Sequence, residues 1–222
     1  VQFWIKAQEI INKEKKIKFF KTHNIYGSLN NTDFSNKYNS IGAVYIIRDP
    51  RNVLTSMMNH FEMNKDEALT FMLNEKKFTY DHFKKNDYSD FQFISSWEKN
   101  YKSWIKNKDF PIKLIKYEDL INQTFYVVKD LINFINKTCK LDHNFDKSKA
   151  QNAIETTSFE KLKKIENNHG FSESIKSKNR DKNKVPFFHL GPNNNWQKIF
   201  DPSFANKLNT IFKETLEELQ YH

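Results

Sequence analysis

The segment VYIIRDPRNVLTS (44–56) has the pattern of a buried strand followed by a capped helix. Its first residues are apolar or aromatic without interruption, which is typical of a strand inside a parallel sheet. Asp49 then stands where a helix N-cap is expected, and the following proline suits the first helical turn. The segment therefore predicts a strand over 43–49 and a helix over 50–62, with Arg48 at the end of the strand.

Other parts of the chain repeat this alternation of strand and helix. The runs IKFFKTH (17–23) and IKLIKYED (112–119) predict two more buried strands with polar ends. A polar segment from about Glu166 to Lys184 predicts a loop. Apolar periodicity predicts further helices over 2–15, 65–75, 94–107, 122–138, 146–155 and 202–219. The pattern predicts an α/β fold with helices around a parallel sheet.

Composition narrows the classes of function. A chain of 222 residues with 15% aromatic residues suits one domain over 1–222 with an aromatic core. The formal net charge of +9 favours anionic partners, but the aromatic residues have core spacing, so no nucleic-acid partner is expected. No apolar run is long enough to span a membrane, and the single Cys139 excludes an internal disulfide.

The polar residues at the predicted strand ends are the candidate site. Ligands of parallel α/β sheets bind beyond the carboxyl ends of the strands. Those ends carry Lys21 and His23, then Arg48, then Tyr117, which together offer two cations, a base and an aromatic hydroxyl. Strand ends that are simply solvated remain the alternative for each.

Five segments then carry a resemblance to a known family. In chain order they are KFFKTH, YIIRDPRNVLTS, LIKYEDL, TTSFEKLKK and GPNNNWQKIF. From about residue 17 onward the chain resembles the sulfotransferases that use 3′-phosphoadenosine 5′-phosphosulfate. The resemblance implies a three-layer P-loop-like fold with a central parallel sheet flanked by helices. It also implies transfer of a sulfuryl group to an acceptor hydroxyl or amine, release of adenosine 3′,5′-bisphosphate, and no metal.

The resemblance implies that Arg48 and Ser56 hold the 3′-phosphate of the donor. A guanidinium is a planar fork suited to phosphate oxygens, and a helix-face hydroxyl adds a further donor. A serine at such a position also bonds its own helix backbone, and that alternative stays open for Ser56. His23 would be the general base, with Lys21 stabilising charge on the transferring group.

The remaining implied site residues surround the adenine. The resemblance assigns Tyr117 and the segment Thr157-Ser158-Phe159 to this role, with Phe159 stacking on the base. Tyr117 in the core and Phe159 as an apolar helix start remain alternatives. Gly191 matches a family turn that contacts the 3′-phosphate.

Two departures from the family pattern affect these expectations. The family's basic pair before the turn glycine is here His189-Leu190, so one phosphate contact is lost or comes from Arg180, Lys182 or Lys184. None of the four glycines opens a phosphate-binding loop. We therefore expect an N-terminally truncated sulfotransferase domain without its 5′-phosphosulfate loop, which as a fragment catalyses poorly or not at all.

Alternatives of other classes remain at this point. A P-loop nucleotide kinase also places basic residues at strand ends, and a non-catalytic module would bind nucleotides or polyanions. The acceptor is expected to be a small molecule or a glycan. A cytoplasmic location is expected, with an anchor upstream of Val1 left open, and the sequence predicts no oligomeric state.

Overall fold

The computed structural model describes residues 1–80, 90–178 and 184–221. In these residues the strands are β1 (Ser28–Leu29), β2 (Thr32–Asp33), β3 (Ala43–Ile47), β4 (Phe78–Thr79), β5 (Gln92–Phe93) and β6 (Ile112–Lys116). The helices are α1 (Trp4–Asn12), α2 (Pro50–Phe61), α3 (Lys65–Leu73), α4 (Trp97–Ile105), α5 (Tyr117–Asn122), α6 (Thr124–Cys139), α7 (Lys147–Thr156), α8 (Phe159–His169), α9 (Pro202–Ile211) and α10 (Lys213–Glu218). Single 3₁₀ turns cover Gly191–Asn193 and Trp196–Lys198.

The chain divides into two compact units, each assembled from three separate segments. The first unit comprises Val1–Ile47, Leu73–Lys116 and Val127–Phe145. The second unit comprises Arg48–Met72, Tyr117–Tyr126 and Asp146–His222. A single domain over 1–222 stays a prediction.

The first unit contains a parallel strand pair. Val44 and Ile46 of the strand at 43–47 are 40% and 58% exposed, so the prediction of a buried strand is wrong for one of its faces. Strands β3 and β6 pair in register, with Ala43 opposite Ile112 and Ile47 opposite Lys116. Helix α4 contacts β6, and its residues Tyr101 and Trp104 are buried. The predicted α/β class with a parallel sheet is confirmed, although both strands end two or three residues earlier than their sequence patterns suggested.

Aromatic packing supplies much of the core of the first unit. The buried indole of Trp104 lies 5.2 Å from the ring of Tyr26, 6.2 Å from Phe34 and 6.4 Å from Tyr45. These tilted or edge-on arrangements are the ones that aromatic quadrupoles favour. The predicted face of α4, with Trp97, Tyr101 and Trp104, accordingly points into this core.

The predicted strand over 17–23 is wrong. These residues form neither a strand nor a helix, and the side chains of Phe19 and Phe20 are 73% and 69% exposed. A strand is stabilised by the partner that it pairs with, and the apolar pattern of a segment does not specify that partner. Within the described residues no strand pairs with 17–23.

Other boundaries also differ from the sequence patterns. Helix α8 continues to His169, so Glu166 is a helical residue and the predicted loop begins later. Tyr117 opens the short helix α5 instead of ending a strand. The helix predicted over 202–219 is divided at Phe212 into α9 and α10.

A capped helix and a buried ion pair organise the second unit. The Asp49 carboxylate caps α2 by accepting from the backbone N–H of Arg51 at 2.9 Å, as predicted. The same carboxylate accepts from Nε and Nη2 of the Arg51 side chain at 3.0 and 2.7 Å. Arg51 is only 3% exposed, donates to Asn209 and lies 4.3 Å from the Trp196 ring. This arginine therefore joins α2, α9 and the 3₁₀ turn of Trp196.

No helix in the described ranges is both long and apolar enough to cross a membrane.

We predict that Arg51→Ala lowers the free energy of unfolding by about 3–5 kcal/mol, because it leaves the Asp49 carboxylate buried without its counter-charge. Urea unfolding at neutral pH measures the change. Lys149→Ala is the control, since it removes a cation from an exposed pair with Asp146. Equal unfolding midpoints for the two variants would contradict the structural role of Arg51.

Candidate functional site

The Arg48 guanidinium is the centre of the candidate site, which lies in the second unit. Arg48 directly follows β3 and is half-buried. Its Nη2 donates to the carbonyl oxygen of Gly191 at 2.9 Å, and the guanidinium lies 4.2 Å from the centre of the Tyr117 ring. No other hydrogen bond and no ion pair holds this side chain within the described residues, and its buried Nε has no partner. Most of its five N–H donors thus lack an acceptor among the residues that the structure describes.

Burial destabilises the charged form of Arg48, because the guanidinium loses part of its hydration. It lowers the pKa of the Arg48 guanidinium, and the nearby Tyr117, Glu118 and Asp49 offset the effect only in part. The Glu118 carboxylate already has two hydrogen-bond donors, the backbone N–H of Asp49 and the Tyr221 hydroxyl. A bound anion would therefore offset the free-energy cost of burying the Arg48 charge.

Gly191 connects Arg48 to Phe159. Its φ of +52° lies in the left-handed region, and a Cβ at this position would approach Cε2 of Phe159 to 2.2 Å. Any side chain here would therefore be strained and would collide with the ring. The Gly191 carbonyl also accepts from the backbone N–H of Asn194 at 3.2 Å. Glycine is thus required both for the turn and for the close approach of Phe159.

Asn194 connects this turn to Ser56, and sequence reasoning missed it. Its buried amide donates to the Ser56 Oγ at 3.1 Å and to the Asn52 carbonyl at 2.9 Å, and accepts from Thr55. The Ser56 hydroxyl itself donates to the Asn52 carbonyl at 3.1 Å, which is the bond to its own helix backbone that the sequence allowed as an alternative. The run of three asparagines before Trp196 was the only signal, and such runs more often mark exposed turns.

The residues that were predicted from the sequence to contact the adenine lie at two positions near the Gly191 turn. Tyr117 stacks on Arg48, and burial raises the pKa of its hydroxyl while Arg48 lowers it. Phe159 packs on Gly191 and opens α8. Thr157 donates its hydroxyl to the Ala153 carbonyl at 2.7 Å, and Ser158 occupies the N-cap of α8 without a side-chain capping bond.

Glu166 is a second residue that sequence reasoning did not identify, since it fell in the predicted loop. Its buried carboxylate accepts from the Ser174 hydroxyl at 2.6 Å and from the backbone N–H groups of Phe187 and Phe188 at 2.7 and 2.9 Å. Burial raises the pKa of this carboxyl, but these three donors and the charge of Lys163 together outweigh it and hold the pKa below its usual 4.5. Glu166 thereby fixes the backbone that leads into the Gly191 turn.

Lys21 and His23 lie in the first unit, and both side chains are exposed. The His23 backbone is held on both sides: its N–H donates to Gln92 Oε1 at 2.6 Å, and its carbonyl accepts from the Asn100 amide at 3.0 Å. The buried Asn100 also donates to the Ile94 carbonyl and accepts from the Tyr45 hydroxyl. Asn100 thus positions the main chain at His23, although only its aromatic neighbours on α4 were singled out from the sequence.

The departure at His189-Leu190 gives no basic pair at the turn. Lys184, one suggested substitute, is exposed and donates to the Phe171 carbonyl at 3.5 Å. Arg180 and Lys182, the other two, lie outside the described residues. Across the part of the chain that the structure describes, no cluster of histidine, cysteine or acidic side chains could hold a metal ion.

We predict that Glu166→Gln destabilises the protein by about 1–3 kcal/mol, because glutamine has one acceptor oxygen where three donors converge. Hydrogen exchange should accelerate at the Phe187 and Phe188 amides. A carboxyl with a depressed pKa stabilises the fold above its unfolded pKa and loses that contribution as pH falls through the folded value. The difference from the native chain should therefore shrink below pH 4.5.

Glu160→Gln is the matched control, because Glu160 is exposed in the first turn of the same helix. It should leave exchange at both phenylalanine amides unchanged. If Glu166→Gln behaved like this control, the proposed anchoring of 187–188 would be refuted.

Comparison with known proteins gives the family of this chain. The family model described as the sulfotransferase domain matches residues 5–220. The chain is 22% identical over 213 residues to sulfotransferase 1B1 of Mus musculus, covering 96% of this chain and 65% of that protein. It is 25% identical over 170 residues to luciferin sulfotransferase of Photinus pyralis, covering 76% of this chain and 40% of that protein.

A solved structure of mouse sulfotransferase SULT7A1 complexed with PAP also matches, with a TM-score of 0.49 and 20% identity. That match covers 78% of this chain and 58% of the solved one. The chain thus spans less than two thirds of the length of each of these relatives. Because the domain model matches nearly the whole chain, the protein belongs to the sulfotransferase family.

Proposed function

We propose that this chain binds 3′-phosphoadenosine 5′-phosphosulfate at Arg48 and serves transfer of its sulfuryl group to an acceptor hydroxyl or amine. The observation that carries the proposal is the state of Arg48, a half-buried cation whose one protein hydrogen bond in the described residues goes to a neutral carbonyl. Such a guanidinium has unused donors and a desolvation cost that a phosphate would offset.

The contacts around Arg48 support binding of a 3′-phosphorylated nucleotide. The Tyr117 ring fixes the plane of the Arg48 guanidinium, and the Gly191 carbonyl fixes its rotation. We infer that the Ser56 hydroxyl turns from the Asn52 carbonyl towards the phosphate when a nucleotide binds, while Asn194 keeps the oxygen in place. Phe159, beside the same turn, would stack on the adenine, with Thr157 and Ser158 lining its edge.

His23 is proposed as the general base and Lys21 as the cation that stabilises the transferring group. A neutral imidazole takes the proton of the acceptor hydroxyl while the acceptor oxygen forms a bond to sulfur. The bond between sulfur and the bridging phosphate oxygen breaks, and adenosine 3′,5′-bisphosphate leaves with that oxygen. The backbone bonds from Gln92 and Asn100 support a fixed position for the base. No step in this scheme uses a metal ion.

The acceptor is proposed to be a small molecule, with a glycan as the second class. One relative is named for luciferin, which supports the first class. We propose a cytoplasmic location and make no proposal about oligomeric state.

We predict that adenosine 3′,5′-bisphosphate binds at least tenfold tighter than ADP, because only the former places a phosphate on the ribose 3′ position. Arg48→Ala should remove that preference. Calorimetric titration of both nucleotides measures it. Lys65→Ala is the control, since it removes one exposed cation from the same unit and should leave the preference intact.

Equal binding of both nucleotides by the native chain would contradict the proposal. It would favour the kinase-like alternative if ADP bound well. Binding that disappears for both nucleotides with added salt would favour a polyanion-binding module instead.

A further inference from the structure

One face of α8 packs along residues 187–191, the segment that ends at the Gly191 turn. Phe159, Lys163 and Glu166 are spaced i, i+4 and i+7, so they lie on the same side of the helix. Phe159 packs against Gly191, Lys163 reaches His189, and Glu166 holds Phe187 and Phe188. Helix and segment therefore run antiparallel to each other, in contact at three successive positions.

Lys163 is the cation in the middle of this face. Its half-buried side chain places Nζ 3.2 Å from the His189 carbonyl and 5.6 Å from the centre of the Phe159 ring. Lys163 forms no direct ion pair within the described residues, although its charge helps to lower the pKa of the Glu166 carboxyl. Glu166, three residues along the helix, is committed to Ser174 and to the two backbone N–H groups.

Lys163 and Arg48 therefore share one environment. Arg48 donates to the carbonyl of Gly191, and Lys163 donates to the carbonyl of His189. Residues two apart are separated by at most about 7 Å along the chain. Within the described residues, two cations with only neutral hydrogen-bond acceptors thus donate to backbone carbonyls that lie two residues apart in the chain.

We propose that Lys163 is a second phosphate-binding cation for the nucleotide, acting on the same 3′-phosphate as Arg48. This inference deepens the proposed function and rests on it. A lysine ammonium is a compact charge on a flexible stem, so it exchanges its carbonyl partner for a phosphate oxygen by rotation of side-chain bonds. It supplies from α8 the positive charge that His189 and Leu190 do not provide at the turn.

The test compares two nucleotides that differ only in the 3′-phosphate, adenosine 3′,5′-bisphosphate and adenosine 5′-monophosphate. Lys163→Gln should weaken binding of the bisphosphate about five- to tenfold and that of the monophosphate less than twofold. Lys163→Arg, which keeps the charge, should retain most of the affinity. Lys164→Gln is the control, because Lys164 is the next residue on α8 and is exposed.

The outcomes separate a phosphate contact from a structural role. If Lys163→Gln weakened both nucleotides alike and also lowered the melting temperature, the lysine would merely hold the turn, and the inference would be overturned. Equal behaviour of Lys163→Gln and Lys164→Gln would overturn it as well. In either case a native preference for the 3′-phosphate that Arg48→Ala removes would leave the proposed function standing.

Discussion

The hydrogen bond from Arg48 to the Gly191 carbonyl is the interaction on which the candidate site depends. It joins the residue that follows β3 to a turn more than a hundred residues later in the chain. This turn requires glycine at 191, because the backbone there has a positive φ and Phe159 fills the space that a side chain would need. One bond to a neutral acceptor thus holds a cation in place without neutralising it.

The two arginines of the RDPR segment (48–51) have different roles because their surroundings differ. Arg51 shares its guanidinium between a buried carboxylate, an amide and an indole, so its donors are used and it stabilises the unit. Arg48, three residues earlier, meets only a carbonyl and an aromatic face among the described residues. The nearby Glu118 and Asp49 offset the desolvation of Arg48 only in part, and a partly uncompensated buried cation is one to which a bound anion contributes strongly.

Sequence reasoning identified what local chemistry determines. The cap at Asp49, the strand before it and the apolar face of α4 follow from residue type and spacing, and each was recovered. The strand over 17–23 failed because pairing is a property of two segments. Asn194 and Glu166 were missed for a related reason: their partners lie far away in the chain, so neither residue type nor spacing marks them as buried.

A crystal structure of the chain with adenosine 3′,5′-bisphosphate would show whether Arg48 binds the 3′-phosphate. We expect oxygens of the 3′-phosphate within hydrogen-bonding distance of the Arg48 guanidinium, with the adenine against Phe159. A nucleotide bound elsewhere, or bound with its 3′-phosphate in solvent while Arg48 contacts only Gly191 and Tyr117, would contradict the account.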